Sequence, residues 1–223
     1  MRFADRTDAG QRLASTLRGL QGQRPAVLAI PRGGVVVGRE VARELGGTLH
    51  AVPVKKVAAP FNPELAIGAV AADGTQVLNE EAVRLLGITP EELQAAISDA
   101  LVEARRRAQA YLCEPLDLSG RPALVVDDGL ATGYTALAAA RYARRFNPLR
   151  LLVAVPVAAR SSAAMVATQC DEFVALMLPD DMEAVGQYYE DFSATTDDVV
   201  LRILAEFSTG FPGLPGPSPT PTA

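Results

Sequence analysis

The amino-acid sequence predicts an α/β protein whose mainly parallel sheet is covered by helices on both faces. Short runs that are apolar throughout, at 26–30, 124–126 and 151–157, alternate along the chain with segments of helical periodicity. Such runs are typical of parallel strands, because both of their faces are buried. Glycine-rich turns follow two of these runs, at 31–34 and 129–133, where open parallel sheets bind their ligands.

Helices are predicted where apolar residues recur every three or four positions, as Leu13, Leu17 and Leu20 do. Capping signals mark several ends: Gly46 follows the second helix, and Thr89 with Glu92 forms a capping box. The predicted helices cover 5–20, 35–45, 79–86, 90–112 and 134–145, then 161–169 and a final helix that Thr196 caps. The arginine triplet 105–107 is interpreted as the solvated face of its helix.

Strands are predicted from short apolar runs and from the turn residues between them. They cover 26–30, 48–54, 67–71, 75–78, 124–126, 150–157 and 173–178. The third and fourth flank Asp73-Gly74 and are predicted to form a hairpin. The 57–65 segment contains Pro60 and Pro63, which exclude a continuous helix, and is predicted to be a loop.

Composition restricts the possible classes of protein. The 223 residues, 49% hydrophobic and 21% charged, suffice for one well-packed domain. A net charge of -5 and a pI near 5.0 argue against a nucleic-acid or membrane-surface binder. The longest apolar run is shorter than the roughly 20 residues of a membrane span, and no signal core is visible. Two cysteines without metal-type spacing fit a reducing cytoplasm.

The segment 124–135, LVVDDGLATGYT, joins a predicted strand to a predicted helix and carries the strongest functional signal. Its glycines let the backbone approach an anion closely, and the helix that follows presents unpaired amides. Asp127 and Asp128 would repel a bare phosphate but can accept hydrogen bonds from hydroxyl groups. The pattern therefore favours a ligand that is both phosphate and polyol, such as ribose 5-phosphate.

Three other interpretations account for this segment less well. An aspartate pair that caps a helix, with glycines that close a turn, explains the acids or the glycines but not both after an apolar strand. A nucleoside triphosphatase loop needs Gly-Lys-Ser/Thr, whereas this loop has Gly133-Tyr134-Thr135. A dinucleotide site needs a GxGxxG pattern, which this loop lacks.

The segment resembles the PRPP-binding motif of type I phosphoribosyltransferases, in which a strand, two acidic residues and a small-residue loop precede Thr-Gly-x-Thr/Ser. The resemblance implies Mg²⁺-dependent transfer of ribose 5-phosphate from PRPP to a purine- or pyrimidine-type base, with release of pyrophosphate. Asp127 and Asp128 would hold the ribose hydroxyls. The implied 5-phosphate loop consists of Gly129, Leu130, Ala131, Thr132, Gly133, Tyr134 and Thr135. Ala131 replaces an aspartate of the hypoxanthine enzymes, so specificity for 6-oxopurines does not carry over.

Other segments acquire roles through the same resemblance. Arg32, Gly33 and Gly34, with Lys55, would hold pyrophosphate and its Mg²⁺, since adjacent backbone amides and a guanidinium suit that anion. Lys55 and Lys56 follow the predicted strand 48–54, at the carboxyl end where open α/β sheets bind ligands, and an ordinary solvated pair remains the alternative. The loop at 57–65 falls where the family has a mobile lid over the active site.

The segment 179–192, PDDMEAVGQYYEDF, is similar to the base-binding segment of hypoxanthine-guanine phosphoribosyltransferase. Met182 stands where that family has a stacking aromatic, so Tyr188 or Tyr189 would supply the ring instead. Asp191 matches the carboxylate near the metal and pyrophosphate. A surface loop whose tyrosines cover the edge of the sheet remains the alternative.

We therefore expect one domain over 1–208, with a helical insertion at 79–118 that forms a hood or a contact in a homo-oligomer. Residues 209–223 are rich in proline and glycine and are expected to be a disordered tail. The expected partners are PRPP and a small base, with no nucleic acid and no membrane. A PRPP- or nucleotide-binding regulator without transfer activity, and a hydrolase of ribose phosphates, remain alternatives.

Overall fold

The computed structural model describes residues 2–113 and 116–208 of the protein. The α-helices are α1 (Arg6–Thr16), α2 (Gly33–Leu45), α3 (Glu80–Leu85), α4 (Pro90–Ala110), α5 (Tyr134–Arg144), α6 (Arg160–Ala167) and α7 (Asp197–Ala205). The strands are β1 (Ala26–Ala29), β2 (Thr48–Ala51), β3 (Val54–Ala59), β4 (Asn62–Ala71), β5 (Gln76–Leu78), β6 (Pro122–Val126), β7 (Arg150–Val157) and β8 (Glu172–Met177). Short 3-10 helices cover Arg18–Leu20 and Val185–Tyr188.

Five strands form the main sheet in the order β2-β1-β6-β7-β8, and every neighbouring pair is parallel. Every residue of β1 and β6 is buried, as expected for strands covered on both faces. Helices α1, α2 and α7 pack on one face of the sheet, and α5 and α6 pack on the other. The predicted α/β fold class is therefore confirmed.

The predicted strand at 48–54 and the predicted loop at 57–65 are wrong. The first strand ends at Ala51, and β3 and β4 form an antiparallel hairpin in a second sheet of order β3-β4-β5. A register shift near Ala58 breaks the regular alternation that would have indicated a strand. Pro63 is tolerated because the first residues of β4 are exposed, where a missing ladder donor costs little.

The second sheet and helices α3 and α4 form a hood over the main sheet. Ile97 and Ala100 of α4 are buried against Val57, Ile67 and their neighbours, in a small core separate from the two main ones. The predicted capping box at Thr89 is present, with both of its hydrogen bonds. The hood therefore includes three strands that precede the whole of the predicted 79–118 insertion, while the domain division itself stays a prediction. The predicted tail at 209–223 lies outside the described residues.

The N-terminal segment is attached to the segment that follows β8. Phe3 N donates to Tyr188 O at 2.8 Å, Glu190 N donates to Phe3 O at 2.8 Å, and Asp191 N donates to Ala4 O at 2.9 Å. The buried ring of Phe3 lies 5.3 Å from the ring of Tyr189. These contacts fix residues 185–193 beside the carboxyl edge of the main sheet. Among the described helices, none has the length and apolar character needed to cross a membrane.

Candidate active site

The two glycine-rich turns meet at the carboxyl edge of the main sheet. Asp127 and Asp128 follow β6 directly, and β1, which leads to the other turn, is paired with β6. A Cβ atom on Gly33 would lie 1.9 Å from Asp128 Oδ2, and one on Gly34 would lie 2.9 Å from the Asp127 Cα. The Pro31–Arg32 peptide bond in this turn is cis. The predicted ribose and pyrophosphate segments are thus in contact, and only glycine fits between them.

The acidic pair is held by three hydrogen bonds. Asp128 N donates to Asp127 Oδ1 at 2.9 Å, and Arg6 Nε donates to Asp128 Oδ2 at 2.7 Å. The Tyr189 hydroxyl donates to the Asp128 carbonyl at 2.6 Å. Burial raises the pKa of Asp127 well above its usual value, and the neighbouring Asp128 carboxylate raises it further. Burial also raises the pKa of Asp128, against the opposing effect of Arg6.

The cost of ionising the buried pair can be measured through Asp127. Its folded pKa is raised, so its stabilising contribution is complete below the unfolded pKa of about 3.9 and is lost as pH rises through the folded value. Asp127→Asn should therefore raise the free energy of unfolding near neutral pH. Asparagine Oδ1 can still accept from Asp128 N.

Urea denaturation of wild type and Asp127→Asn at a series of pH values tests this prediction. The gain in stability should shrink as the pH falls, because the wild-type carboxyl then takes up its proton. Equal stability near neutral pH, or a gain that grows on acidification, would show that folding does not disfavour the ionised pair.

The loop between the acidic pair and α5 has the form of an anion cup. Gly133 is the N-cap of α5 and has φ +79°, a conformation that strains other residues. The Ser162 hydroxyl supports the loop by donating to Ala131 O at 2.6 Å. Within residues 2–113 and 116–208, no acceptor pairs with the amides of Thr132 and Gly133. These donors, with the hydroxyls of Thr132 and Thr135, can bind a phosphate at the start of α5.

Leu130 does not belong to this cup. Its side chain is 1% exposed, its amide donates to Val157 O, and its carbonyl accepts from Ala159 N, each at 2.9 Å. The sequence interpretation of Leu130 as a phosphate-binding residue is therefore wrong, because its backbone joins the loop to the end of β7. Gly129 is needed for packing, since a Cβ there would lie 2.6 Å from Val185 Cγ1.

Tyr134, the first residue of α5, is half-buried and lines a cavity of about 380 Å³. The cavity is bounded by α5, α6 and the junction of β5 with α3, with Asn79, Arg141 and Met165 among its lining residues. Only its position at the start of α5 associates Tyr134 with the anion cup.

A group of cations surrounds Lys55 of the hood. Burial lowers the pKa of Lys55, and the nearby charges of Arg107, Lys56 and Arg32 lower it further. The sequence predicts Lys55 at the carboxyl end of a main-sheet strand, but it lies in β3 of the hood. Arg107 is only 20% exposed, with its Nε bonded to Glu103, so this member of the arginine triplet is not a fully solvated charge. Four cations close together suit a polyanionic ligand.

Arg32 connects this group to the body of the protein. Its side chain is 43% exposed, and its Nη1 lies 3.8 Å from Asp197 Oδ1 at the start of α7. The same carboxylate oxygen accepts a hydrogen bond of 2.6 Å from the Tyr111 hydroxyl. Burial and this hydrogen bond raise the pKa of Tyr111 to about 12, so it stays a neutral donor. The contact of 3.8 Å with Asp197 leaves much of the Arg32 guanidinium exposed at the surface of the site.

The tyrosine pair of the 179–192 segment has two different environments. Tyr189 is 3% exposed and packs between Phe3 and Phe192, with ring centroids 5.3 Å and 5.0 Å away. The interpretation of Tyr189 as a base-stacking ring is wrong, because the ring lies beneath the Asp128 backbone that it supports. Tyr188 is half-buried, with its hydroxyl 3.3 Å from Asp181 O, and Met182 is also half-buried. Tyr188 and Met182 keep surface with which a base could make contact.

Asp191 is exposed, and its carboxylate accepts hydrogen bonds from the amide and hydroxyl of Ser193, which lower its pKa. Among the described residues no group of three or more His, Cys, Asp or Glu side chains could hold a metal ion. Proteins commonly bind Mg²⁺ through one or two carboxylates together with substrate phosphates. The ionised and accessible Asp191 fits such a partial ligand set.

Arg6 belongs to the site, although the sequence gives no indication of it. Its guanidinium bonds to Asp128, donates from Nη1 to Ser193 O at 2.8 Å and lies 3.8 Å from the centre of the Phe192 ring. Arg6 and Asp128 are 122 positions apart. An arginine directly after a helix cap carries no signal that would identify such a partner.

The chain is similar to proteins of one known family. The family model of the phosphoribosyl transferase domain matches residues 4–193. The "Putative phosphoribosyl transferase Rv0571c" of Mycobacterium tuberculosis is 42% identical over 204 residues, which cover 91% of this chain and 46% of that relative. The chain thus spans about half the length of the curated relatives it matches.

Two solved structures are similar to this fold. The TT1426 protein of Thermus thermophilus superposes with a TM-score of 0.77 and 43% identity, covering 93% of this chain and 100% of that one. A hypothetical protein from Neisseria gonorrhoeae with bound ppGpp superposes with a TM-score of 0.52 and 16% identity, covering 92% and 94%. The second similarity concerns the fold alone.

Proposed function

The chain belongs to the phosphoribosyl transferase family, and from that premise we propose that it transfers ribose 5-phosphate from PRPP to a nitrogenous base in a Mg²⁺-dependent reaction. The observation that carries the proposal is the contact between the acidic pair and the Gly33-Gly34 turn, with the anion cup beside them. A ligand there meets carboxylates, a glycine-lined turn and helix amides within one site. PRPP offers hydroxyls, pyrophosphate and a 5-phosphate to match them.

In this reaction a C1–N bond to the base forms as the C1–O bond to pyrophosphate breaks. The sugar acquires oxocarbenium character, so the protein must position the reactants and stabilise charge, and no protein nucleophile is required. Asp127 and Asp128 accept hydrogen bonds from the ribose hydroxyls. Their negative charge also favours the positive charge that develops on the sugar.

The two phosphate groups are assigned to opposite sides of the acidic pair. Thr132, Gly133 and Thr135 bind the 5-phosphate through backbone amides and hydroxyls. Arg32 and Lys55, with the amides of the Gly33-Gly34 turn, bind the pyrophosphate, which leaves as an anion. Asp191 would supply a carboxylate to Mg²⁺, and the ion, when bound, would neutralise charge on the pyrophosphate. The base is assigned to the surface near Tyr188 and Met182.

The test is a screen of purines, pyrimidines and related heterocycles for PRPP-dependent release of pyrophosphate, with and without Mg²⁺. We expect release with at least one base and none when either PRPP or Mg²⁺ is omitted. Binding of PRPP without release in the presence of any base would instead support a regulatory protein. Release of ribose 5-phosphate without an acceptor would support a hydrolase.

A further inference from the structure

Arg6 contacts the acidic pair, but the proposed reaction gives it no role. Its side chain is only 11% exposed, although Arg6 is the first residue of α1. Three groups from distant parts of the chain surround it: the Asp128 carboxylate, the Ser193 carbonyl and the Phe192 ring. A planar guanidinium with donors on separate nitrogens can satisfy all three at once, which a lysine ammonium cannot do in the same geometry.

The contact with Asp128 is selective between its two oxygens. Arg6 Nε bonds to Oδ2, the oxygen that faces Gly33. In the described part of the chain, the other hydrogen bonds of this carboxylate are made within the acidic pair, with the Asp127 side chain and the Asp128 amide. Arg6 is thus the neighbour outside the pair that fixes Oδ2, and Oδ1, which Arg6 does not contact, is the oxygen assigned to a substrate hydroxyl.

Arg6 itself is held on both sides. Nη1 donates to Ser193 O, while the guanidinium carbon lies 3.8 Å from the centre of the Phe192 ring. A cation over an aromatic face is attracted by the ring electrons, so Phe192 favours this one orientation. The position of Asp128 is therefore set by a rigid neighbour and not by its own rotamer alone.

We propose that Arg6 is a positioning residue for the ribose-binding carboxylate, holding Asp128 Oδ2 so that Oδ1 is presented to a ribose hydroxyl. The proposal rests on the proposed function, because it assigns Asp128 to the ribose. It also gives the N-terminal segment a role in substrate binding, since α1 delivers the guanidinium to the centre of the site.

The experiment compares Arg6→Met with a matched control, Arg12→Met, by calorimetric titration with PRPP and Mg²⁺. Arg12 lies on the same helix and also combines an ion pair, with Asp8 at 2.8 Å, and an aromatic ring, Phe3, at 5.6 Å. We expect Arg6→Met to weaken PRPP binding about tenfold or more, the loss of one charge-assisted contact. Arg12→Met should bind PRPP as wild type does.

A double-mutant cycle separates positioning from a structural role. In an Asp128→Asn background, Arg6→Met should change PRPP affinity by less than about twofold, because its effect acts through the missing carboxylate. Arg6→Lys should recover part of the affinity, since it restores a cation beside Asp128. If Arg6→Met does not fold, as judged by circular dichroism, Arg6→Lys is compared with wild type in both backgrounds instead.

Three outcomes overturn the inference. Arg6→Met that binds PRPP as tightly as wild type would show that Asp128 needs no positioning. An equal loss of affinity in the wild-type and Asp128→Asn backgrounds would show that Arg6 acts independently of Asp128. A wild-type protein without affinity for PRPP would overturn the proposed function as well, and the wild-type and Arg12→Met titrations distinguish that failure from the other two.

Discussion

Asp128→Asn is expected to lower kcat/KM for PRPP by about ten- to a hundredfold, which corresponds to the loss of one charge-assisted hydrogen bond. The substitution keeps the size of the side chain, so the loop and the anion cup should remain in place. It removes the charge that accepts from a ribose hydroxyl and leaves Arg6, which is 11% exposed, without its ion-pair partner. Steady-state kinetics with the base identified by the screen provide the measurement.

The control for this variant is Asp99→Asn on α4. Asp99 is exposed, and no ion pair of Asp99 occurs in the described part of the chain. Its kcat/KM should equal that of wild type. Thermal denaturation of both variants separates a catalytic loss from unfolding. An Asp128→Asn protein that turns over PRPP at the wild-type rate would remove Asp128 from the reaction.

Gly33→Ala is expected to lower kcat/KM by about a hundredfold, because a shift of one ångström in a reacting group can cost that much. The added methyl group would lie 1.9 Å from Asp128 Oδ2 and 2.6 Å from Arg6 Nε. Either the carboxylate or the turn must move, and both belong to the site. The strain should also lower the free energy of unfolding by about 1–3 kcal/mol.

Gly19→Ala is the matched control, since a Cβ there would have no neighbour within 4 Å. Both variants are measured by steady-state kinetics and by urea denaturation. Gly19→Ala should leave kcat/KM unchanged. Wild-type kcat/KM in Gly33→Ala would mean that Asp128 is not held against this turn when substrate is bound.

The parts of the site that the sequence predicted well are those whose determinants are contiguous. The end of β6, the acidic pair, the glycine cup and the start of α5 all lie within 124–135, and the structure has them in that order. The apolar strand and helix patterns of this segment match the burial of β6 and α5 in the structure. The same holds for α4, whose capping box and periodicity are both local.

The predictions were wrong where contacts between distant parts of the chain determine the position or the role of a residue. The prediction put Lys55 just after a main-sheet strand at 48–54 because nothing local marks the change of sheet between Ala51 and Val54. Tyr189 is an aromatic residue of the kind that stacks on bases. Its hydroxyl instead donates to the carbonyl of Asp128, 61 positions away, and so supports the loop. Arg6 was missed for the same reason, since pairing across such a distance leaves no local pattern.

The central claim is that the acidic pair holds the ribose while the Thr132-Gly133 cup holds the 5-phosphate. Its most direct test is isothermal titration of the wild-type protein with PRPP and with ribose 5-phosphate in the presence of Mg²⁺. We predict saturable binding of both ligands at one site, weakened about tenfold or more by Asp128→Asn. Absence of binding by PRPP and by every ribonucleoside monophosphate would contradict the account.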